Sequence, residues 1–209
     1  GVDYIAISFP KNADDMHLAR KLANSHSLKK GQEVRLIAKI ERAEAIEEGV
    51  LEGIIAASDG IMVARGDLAV EVGNAAVPAL QKRMIRLATA ADKFVITATQ
   101  MMESMITSPM PTRAEVSDVA NAVLDGTDAV MLSAETASGQ FPVKVVEQMS
   151  AICIAAENSE TVTLDDDFLD QTFTRIDQSI ALGALFTAYH LKVKAIAALT
   201  ESGLSLIHI

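Results

Sequence analysis

Two charged residues, Lys39 and Glu41, stand two positions apart at the end of an apolar segment that reads as a β-strand, residues 34–41. Residues two apart in a strand point to the same side, so this cation and this carboxylate share one face. Such a pair could hold a phosphoryl group and a metal ion together. Taken alone, it is more typical of a salt bridge at the end of a strand.

A second candidate is the segment Arg65-Gly66-Asp67, which ends the buried strand predicted for residues 60–67. Gly66 lets backbone amides approach a ligand closely, and such amides bind a carboxylate or a phosphate well. Asp67 supplies another hard oxygen ligand. Magnesium typically takes one or two protein carboxylates and completes its shell with substrate oxygens and water. The alternative is that Asp67 caps the following helix.

Hydroxyl and carboxylate groups also end the next two predicted strands. Thr97 and Thr99 occupy alternate positions of one strand, and Ser133 and Glu135 close the other. Threonine is common in strands, so the threonine pair is weak evidence by itself. The methionines that follow Thr99 are interpreted as core residues, because the flexible methionine side chain fills irregular gaps.

The strands that must position these residues alternate with helical patterns. Strands are predicted at residues 2–9, 34–41, 60–67, 94–99 and 129–133, and helices at 13–28, 43–48, 77–91, 113–125 and 142–158. Such alternation predicts a parallel sheet, either open and doubly wound or part of a (β/α)8 barrel. Polar residues at the carboxyl ends of successive strands converge in a barrel and spread along an edge in an open sheet. We therefore predict an α/β fold with five strands of an incomplete TIM barrel.

The pattern changes after residue 158. The acidic segment LDDDFLD is typical of a linker, and a helix at 177–191 and a strand at 193–200 begin a second α/β unit. We predict a catalytic domain at residues 1–160, followed at 161–209 by a linker and the start of another domain. The chain does not begin with methionine, and its last six residues, LSLIHI, do not fit the pattern. Both ends are therefore expected to be truncated.

Composition excludes several classes of protein. A formal net charge of −10 argues against nucleic-acid binding, which normally needs a basic surface. The single cysteine, Cys153, excludes an internal disulfide and fits a reducing compartment. The apolar runs are too short for a membrane span, and no leader pattern opens the chain. The expectation is a cytoplasmic protein.

Four stretches of sequence occur in a distinctive order. They are LIAKIERAEAI, IMVARGDLAVEV, the long block from ITATQMMESM to LSAETASG, and the closing ALTESG. In this order and spacing they resemble the pyruvate kinase family, bacterial type, over about residues 1–203. The resemblance implies strands four to eight of that family's barrel and the start of its C-terminal regulatory domain. It also implies transfer of a phosphoryl group from phosphoenolpyruvate to ADP, giving pyruvate and ATP in glycolysis.

The resemblance implies a role for each main candidate. Lys39 matches the catalytic lysine, which stabilises charge between the phosphoryl group and the enolate. Glu41 and Asp67 match the ligands of Mg²⁺ or Mn²⁺. Gly66, with the amide of Asp67, matches the turn that binds the substrate carboxylate. Thr99 matches the threonine beside the substrate, which takes part in binding and in proton transfer.

Further features follow from the same resemblance. Ser133 and Glu135 match polar residues of the substrate-binding mouth, and Ser202 and Gly203 match the start of a loop that binds a sugar-phosphate or nucleotide effector. A K⁺ ion is possible, with its ligands outside this chain. The parent protein is expected to be a homotetramer, and the chain alone is expected to be inactive. Ala69 stands where the family usually has glycine, a change that we expect to be tolerated.

Two other functions stay open at this point. A magnesium-dependent lyase or aldolase acting on pyruvate-like substrates would also place carboxylates at a barrel mouth. A non-catalytic effector-binding module would fit a chain that contains part of a regulatory domain.

Overall fold

The structure is a computed structural model that describes residues 2–26, 34–159 and 176–197. The chain divides into two compact units, Gly1–Glu160 and Thr161–Ile209. The predicted linker at residues 164–170, the effector-loop residues Ser202 and Gly203, and the LSLIHI segment lie outside the described residues. No helix in the described ranges is long and apolar enough to cross a membrane.

Five parallel strands form one sheet in the order β1-β2-β3-β4-β5. Their bounds are β1 Tyr4–Ile7, β2 Arg35–Ile40, β3 Gly60–Ala64, β4 Phe94–Ala98 and β5 Ala129–Met131. The predicted parallel α/β sheet is confirmed. The register pairs Ile40 with Val63, Val63 with Thr97, and Thr97 with Val130, so four of the carboxyl ends stand level.

Helices follow the strands in the first unit, and the described part of the second unit contains one helix. In the first unit they are α1 Ala13–Ser25, α2 Val50–Ala57, α3 Arg65–Val72, α4 Val77–Ala90, α5 Arg113–Leu124, α6 Ala134–Ala137 and α7 Pro142–Ser159. Short 3-10 helices cover Glu44–Ile46 and Glu103–Ile106. The second unit contains α8, Ile176–Leu191.

The centre of the sheet is the most buried: every residue of β3 and most residues of β2 and β4 are buried, whereas β1 is partly exposed and β5 is half-buried. On one face, Leu36, Ala38 and Ile40 of β2 pack with residues of α1, α2 and α4. The intervening Ile37 belongs to a second cluster with Met62 and Ala98. Because side chains alternate along a strand, Lys39 and Glu41 lie on this second face.

A further cluster joins the segment after β4 to the last helices of the unit. Met101, Met102 and Met105 are fully buried and pack with α5 and α7. Their predicted role as core residues is confirmed. The loop that begins at Thr99 is therefore anchored on its far side by packed side chains.

Local sequence signals fix the ends of α5. Thr112 and Glu115 form the predicted capping box, in which the Thr112 hydroxyl accepts from the Glu115 amide and the Glu115 carboxylate accepts from the Thr112 amide. Gly126, with φ of 93°, follows the helix in a left-handed conformation that glycine adopts easily.

Two predicted elements were wrong, a helix in the first unit and a strand in the second. The helix predicted at 43–48 is a 3-10 helix over Glu44–Ile46, and the true α-helix is α2, whose sequence VLEGIIAA carries one charged residue, Glu52. The strand predicted at 193–200 is not formed in its described part, residues 193–197. A strand is stabilised by hydrogen bonds to a neighbour, and residues 176–197 contain no other strand.

Candidate active site

The side chains of Lys39 and Glu41 meet at the carboxyl end of β2, as their alternate spacing predicts. Lys39 Nζ lies 2.6 Å from Glu41 Oε1, and it also donates to Ser8 Oγ at 3.1 Å. Glu41 Oε2 accepts a hydrogen bond of 2.7 Å from the amide of Phe9. The Glu41 carboxylate is 0% exposed, whereas the Lys39 side chain is 25% exposed. The lysine is thus the half of the pair that solvent reaches.

Glu41 Oε1 is a buried oxygen with an incomplete set of partners. It forms an ion pair with Lys39 Nζ that lacks the directional geometry of a hydrogen bond, and no other residue in the described ranges donates to it. Burying a charge is unfavourable unless it is paired and hydrogen-bonded. Among the described residues the Lys39 ammonium is the charge that compensates this oxygen, and a carboxylate oxygen is also the kind of ligand that hard divalent cations take. No group of three potential metal-binding side chains occurs among the residues that the structure describes, so a cation here would complete its shell with other oxygens.

Asp67 lies at the start of α3 rather than on a strand. The predicted strand 60–67 was wrong in its last three residues, because α3 begins at Arg65 directly after Ala64. Leu68 is buried, and Val72, one turn later, packs on the same core cluster, which favours a helix over an extended chain. The capping alternative for Asp67 is also wrong, since Ala64 occupies the N-cap position and no side chain caps this helix. The Asp67 side chain is exposed.

Thr99 joins the end of β4 to the start of α3. Its hydroxyl donates to the carbonyl of Ala98 at 2.6 Å and accepts from the amide of Gly66 at 2.8 Å. Thr99 and Gln100 have φ values of 71° and 53°. Left-handed φ values are rare for residues other than glycine, especially β-branched ones, and each costs about 1–3 kcal/mol. The threonine is therefore held beside Gly66 in a strained conformation.

Thr97 does not join Thr99 at the candidate site. It is buried on the face of the sheet that the helices cover, and its hydroxyl donates to Thr127 Oγ1 at 3.0 Å. The prediction that both threonines end the strand at the same mouth was wrong, because β4 ends at Ala98 and the left-handed turn breaks the alternation.

Glu135 connects two loops through its carboxylate. Oε1 accepts from the amide of Met102 at 3.2 Å, and Oε2 accepts from the amide of Ser133 at 2.7 Å. Glu135 is 2% exposed, and Ser133 is half-buried. Both oxygens are thus engaged by the backbone, and a substrate-binding role for these two residues stays a prediction.

Glu115 forms a similar network nearby. It accepts hydrogen bonds from the amide and hydroxyl of Ser104, at 2.6 and 2.5 Å, and from those of Thr112. Partial burial alone would raise the pKa of Glu115, but these hydrogen bonds outweigh it and hold the pKa below its ordinary value. The carboxylate therefore fixes the loop after β4 to the start of α5.

Sequence reasoning missed the part that Arg65 plays. Its guanidinium donates to the Thr99 carbonyl at 2.8 Å and the Gln100 carbonyl at 3.1 Å, and Nη1 lies 2.7 and 2.8 Å from the two oxygens of Asp118. Arg65 is 8% exposed. Its position directly after the apolar run of β3 was the available signal, since a buried arginine needs partners.

Comparison with known proteins connects this arrangement to a family. A family model described as the pyruvate kinase barrel domain matches residues 1–146, which include every candidate site residue of the first unit. The chain belongs to the pyruvate kinase family. The predicted resemblance is confirmed, and with it the assignment of the five-stranded sheet to a partial barrel.

Several members of the family are similar along nearly the whole chain. Pyruvate kinase II of Salmonella typhimurium is 52% identical over 205 residues, and a pyruvate kinase of Buchnera aphidicola from Acyrthosiphon pisum is 53% identical over 204. Each alignment covers 97% of this chain and 42% of the relative. A crystal structure of a pyruvate kinase from Cryptosporidium parvum matches with a TM-score of 0.89 at 39% identity, over 99% of this chain and 43% of that one. The chain thus spans less than half the length of these relatives.

Proposed function

We propose that the whole protein is a pyruvate kinase that transfers the phosphoryl group of phosphoenolpyruvate to ADP and releases pyruvate and ATP. The observation that carries this proposal is the pair formed by Lys39 and Glu41. One carboxylate oxygen is fixed by the Phe9 amide, and the other is buried without a hydrogen bond beside a partly exposed ammonium group. Membership of the family supports the same reaction.

Phosphoryl transfer needs mainly positioning and neutralisation of negative charge. Lys39 supplies a positive charge that solvent and ligand can reach, and we assign it to the oxygens between the phosphoryl group and the enolate. Glu41 and Asp67 would hold a Mg²⁺ or Mn²⁺ ion. When bound, such an ion supplies further neutralisation of phosphoryl charge and polarises the enolate oxygen.

Gly66 and the amide of Asp67 would bind the substrate carboxylate at the first turn of α3. The amides of a first helical turn have no partner within the helix and favour an anion. A β-carbon added at Gly66 would lie 3.5 Å from Thr99 Oγ1, an ordinary contact, so the protein itself leaves room for alanine there. Glycine at this position is therefore better explained by the close approach of a ligand.

Thr99 would lie beside the substrate, since its hydroxyl contacts the Gly66 amide. Ser133 and Glu135 belong to the next loop of the same end and would support the mouth. A K⁺ requirement, ATP binding, homotetramer formation and control by an effector at Ser202 and Gly203 form the outer part of this proposal. They rest on family membership alone.

The test uses a chimaera in which this chain replaces the matching 205 residues of the Salmonella enzyme. We expect the chimaera to make ATP from phosphoenolpyruvate and ADP in the presence of Mg²⁺. Lys39→Met should lower kcat by about a hundredfold to a thousandfold, the usual effect of losing one charge-stabilising group. Lys21→Met, on the exposed surface of α1, is the matched control and should leave kcat unchanged.

Coupled assays of pyruvate and ATP formation decide the outcome. A folded chimaera that cleaves a carbon–carbon bond and forms no ATP would indicate a lyase and overturn the proposal. A kcat of Lys39→Met close to that of Lys21→Met would show that Lys39 does not take part in the reaction.

A further inference from the structure

Two consecutive residues, Thr99 and Gln100, adopt left-handed backbone conformations at the end of β4. Neither residue type favours this region, and threonine is β-branched, which makes the conformation still less favourable. A contact from elsewhere in the chain must therefore hold the turn. The structure supplies one at the carbonyl of each residue, and both come from the guanidinium of Arg65.

The geometry of the guanidinium matches this task. Nε and Nη2 both donate to the Thr99 carbonyl, at 3.2 and 2.8 Å, and Nη2 also contacts the Gln100 carbonyl and the sulfur of Met101. Nη1 points the other way, to Asp118, whose carboxylate compensates the buried positive charge. A planar fork of five N–H donors can serve these partners together, whereas the ammonium group of lysine is a single point with three donors.

Helix α3 contacts the turn in two ways, through the side chain of Arg65 and through the backbone amide of the next residue. Arg65 is the first residue of α3, and its neighbour Gly66 donates its amide to the Thr99 hydroxyl at 2.8 Å. Fixing the carbonyl of Thr99 with the Arg65 side chain therefore also fixes the Thr99 hydroxyl against the Gly66 amide. The carboxyl ends of β3 and β4 are thereby joined to each other.

We propose that Arg65 is a positioning residue: it holds Thr99 and Gln100 in the left-handed turn and so places the Thr99 hydroxyl at the candidate site. This inference rests on the proposed function for the role of Thr99 in the reaction. Arg65 contributes through Thr99, and its own guanidinium is occupied by protein partners.

Arg65→Lys in the chimaera keeps the charge and removes the fork. We expect kcat/KM for phosphoenolpyruvate to fall about tenfold to a hundredfold, because small displacements of a positioned group have effects of this size. Arg20→Lys is the matched control, since Arg20 also binds a carbonyl and a carboxylate, those of Ala57 and Asp59. It should lower the melting temperature and leave kcat/KM within about twofold, as it touches no residue of the candidate site.

Combining Arg65→Lys with a second substitution, at Gln100 or at Thr99, distinguishes a positioning role of Arg65 from general destabilisation of the fold. Gln100→Gly removes the conformational penalty of the turn, so Arg65→Lys with Gln100→Gly should recover at least about threefold of the lost kcat/KM. In a Thr99→Val background, Arg65→Lys should lower kcat/KM by less than about threefold further, because coupled residues are not additive. If Arg65→Lys alone does not fold, the variant with Gln100→Gly takes its place.

Multiplicative effects of Arg65→Lys and Thr99→Val, or no recovery with Gln100→Gly, would overturn the inference. Hydrogen exchange of the Gly66 amide provides a measurement that does not depend on activity. It should be faster in Arg65→Lys than in the unsubstituted chimaera and unchanged in Arg20→Lys. If the unsubstituted chimaera formed no ATP, the proposed function would fail, while this exchange result would still decide whether Arg65 holds the turn.

Discussion

The carboxylates at the amino end of the sheet and those of Glu41 and Asp67 at its carboxyl end differ in how many protein groups bind them. At the amino end, Asp59 Oδ2 accepts from the Leu36 amide and from Arg20, both at 2.7 Å, and Asp128 Oδ2 accepts from the Val95 amide at 2.8 Å. At the carboxyl end, Glu41 keeps one buried oxygen without a hydrogen bond, and Asp67 is exposed. The two aspartates at the amino end are thus bound by backbone amides, whereas at the carboxyl end Glu41 Oε1 has only its ion pair with Lys39 among the described residues, and the Asp67 side chain is exposed.

The same pattern of hydrogen bonds occurs at the amino end directly before β3 and directly before β5. Asp59 donates its amide to the carbonyl of Leu36 at 2.9 Å, and Asp128 donates to that of Val95 at 3.0 Å. Each aspartate thus exchanges two hydrogen bonds with one residue of the preceding strand and extends the ladder by a step. Barrel proteins place stability at the amino end of their strands and chemistry at the carboxyl end. The hydrogen bonds here show how that division is built.

The largest expected contrast comes from removing one charge at each end of the chimaera. Glu41→Gln should lower kcat by about a hundredfold to a thousandfold, because the carboxylate is lost as an anionic ligand. Asp59→Asn should leave kcat unchanged and lower the free energy of unfolding by about 1 kcal/mol, because the carboxamide oxygen can still accept both hydrogen bonds but the ion pair with Arg20 loses its negative charge. Steady-state kinetics and urea unfolding measure both. Equal loss of stability in the two variants, with kcat retained in Glu41→Gln, would abolish the distinction.

Two glycines offer a smaller contrast. A β-carbon at Gly60, the first residue of β3, would lie 2.6 Å from the Phe94 carbonyl, so Gly60→Ala should destabilise the fold by about 1–3 kcal/mol. Gly66→Ala has room in the protein and should leave stability unchanged or raise it by up to about 1 kcal/mol. It should nevertheless raise the KM for phosphoenolpyruvate. An unchanged KM in Gly66→Ala would argue against the carboxylate-binding turn.

The smallest expected effect concerns Glu115, a carboxylate near the carboxyl end that the protein does close. Its pKa is below the ordinary value of 4.5 in the folded state, so it contributes stability that is present above that value and is lost as the pH falls through the lowered pKa. The difference in urea midpoint between the chimaera and its Glu115→Gln variant should be largest near neutral pH and shrink below about pH 4.5. A difference that stays constant between about pH 7 and about pH 3.5 would show that the hydrogen bonds do not favour the charged form.

Much of the fold could be predicted because apolar periodicity dominates it. All five strands occur where their β-branched segments predict them, and the pairing of Lys39 with Glu41 follows from alternation along β2. Helix α2 was missed because VLEGIIAA has one charged residue among apolar ones, and a short run of this kind does not distinguish helix from strand. Its burial comes from the core that it packs against, which only the folded chain defines.

The site was predictable only where it depends on local spacing. The contacts of Arg65 with Thr99 and Asp118 join residues 34 and 53 positions apart, and no local pattern indicates them. The left-handed φ of Thr99 was equally hidden, since its cause is a side chain on another element. Glu135 was predicted from its residue type as a group of the mouth, whereas its backbone partners are visible only in the structure.

The carboxylate of Glu135 has a consequence for how this barrel end can be redesigned. In most barrels the loops after successive strands vary independently, which is why new specificities are grafted there one loop at a time. Here a single side chain binds the amide of Met102 after β4 and that of Ser133 after β5. An insertion in either loop would pull on the other, so these two loops would have to be exchanged together, as one cassette.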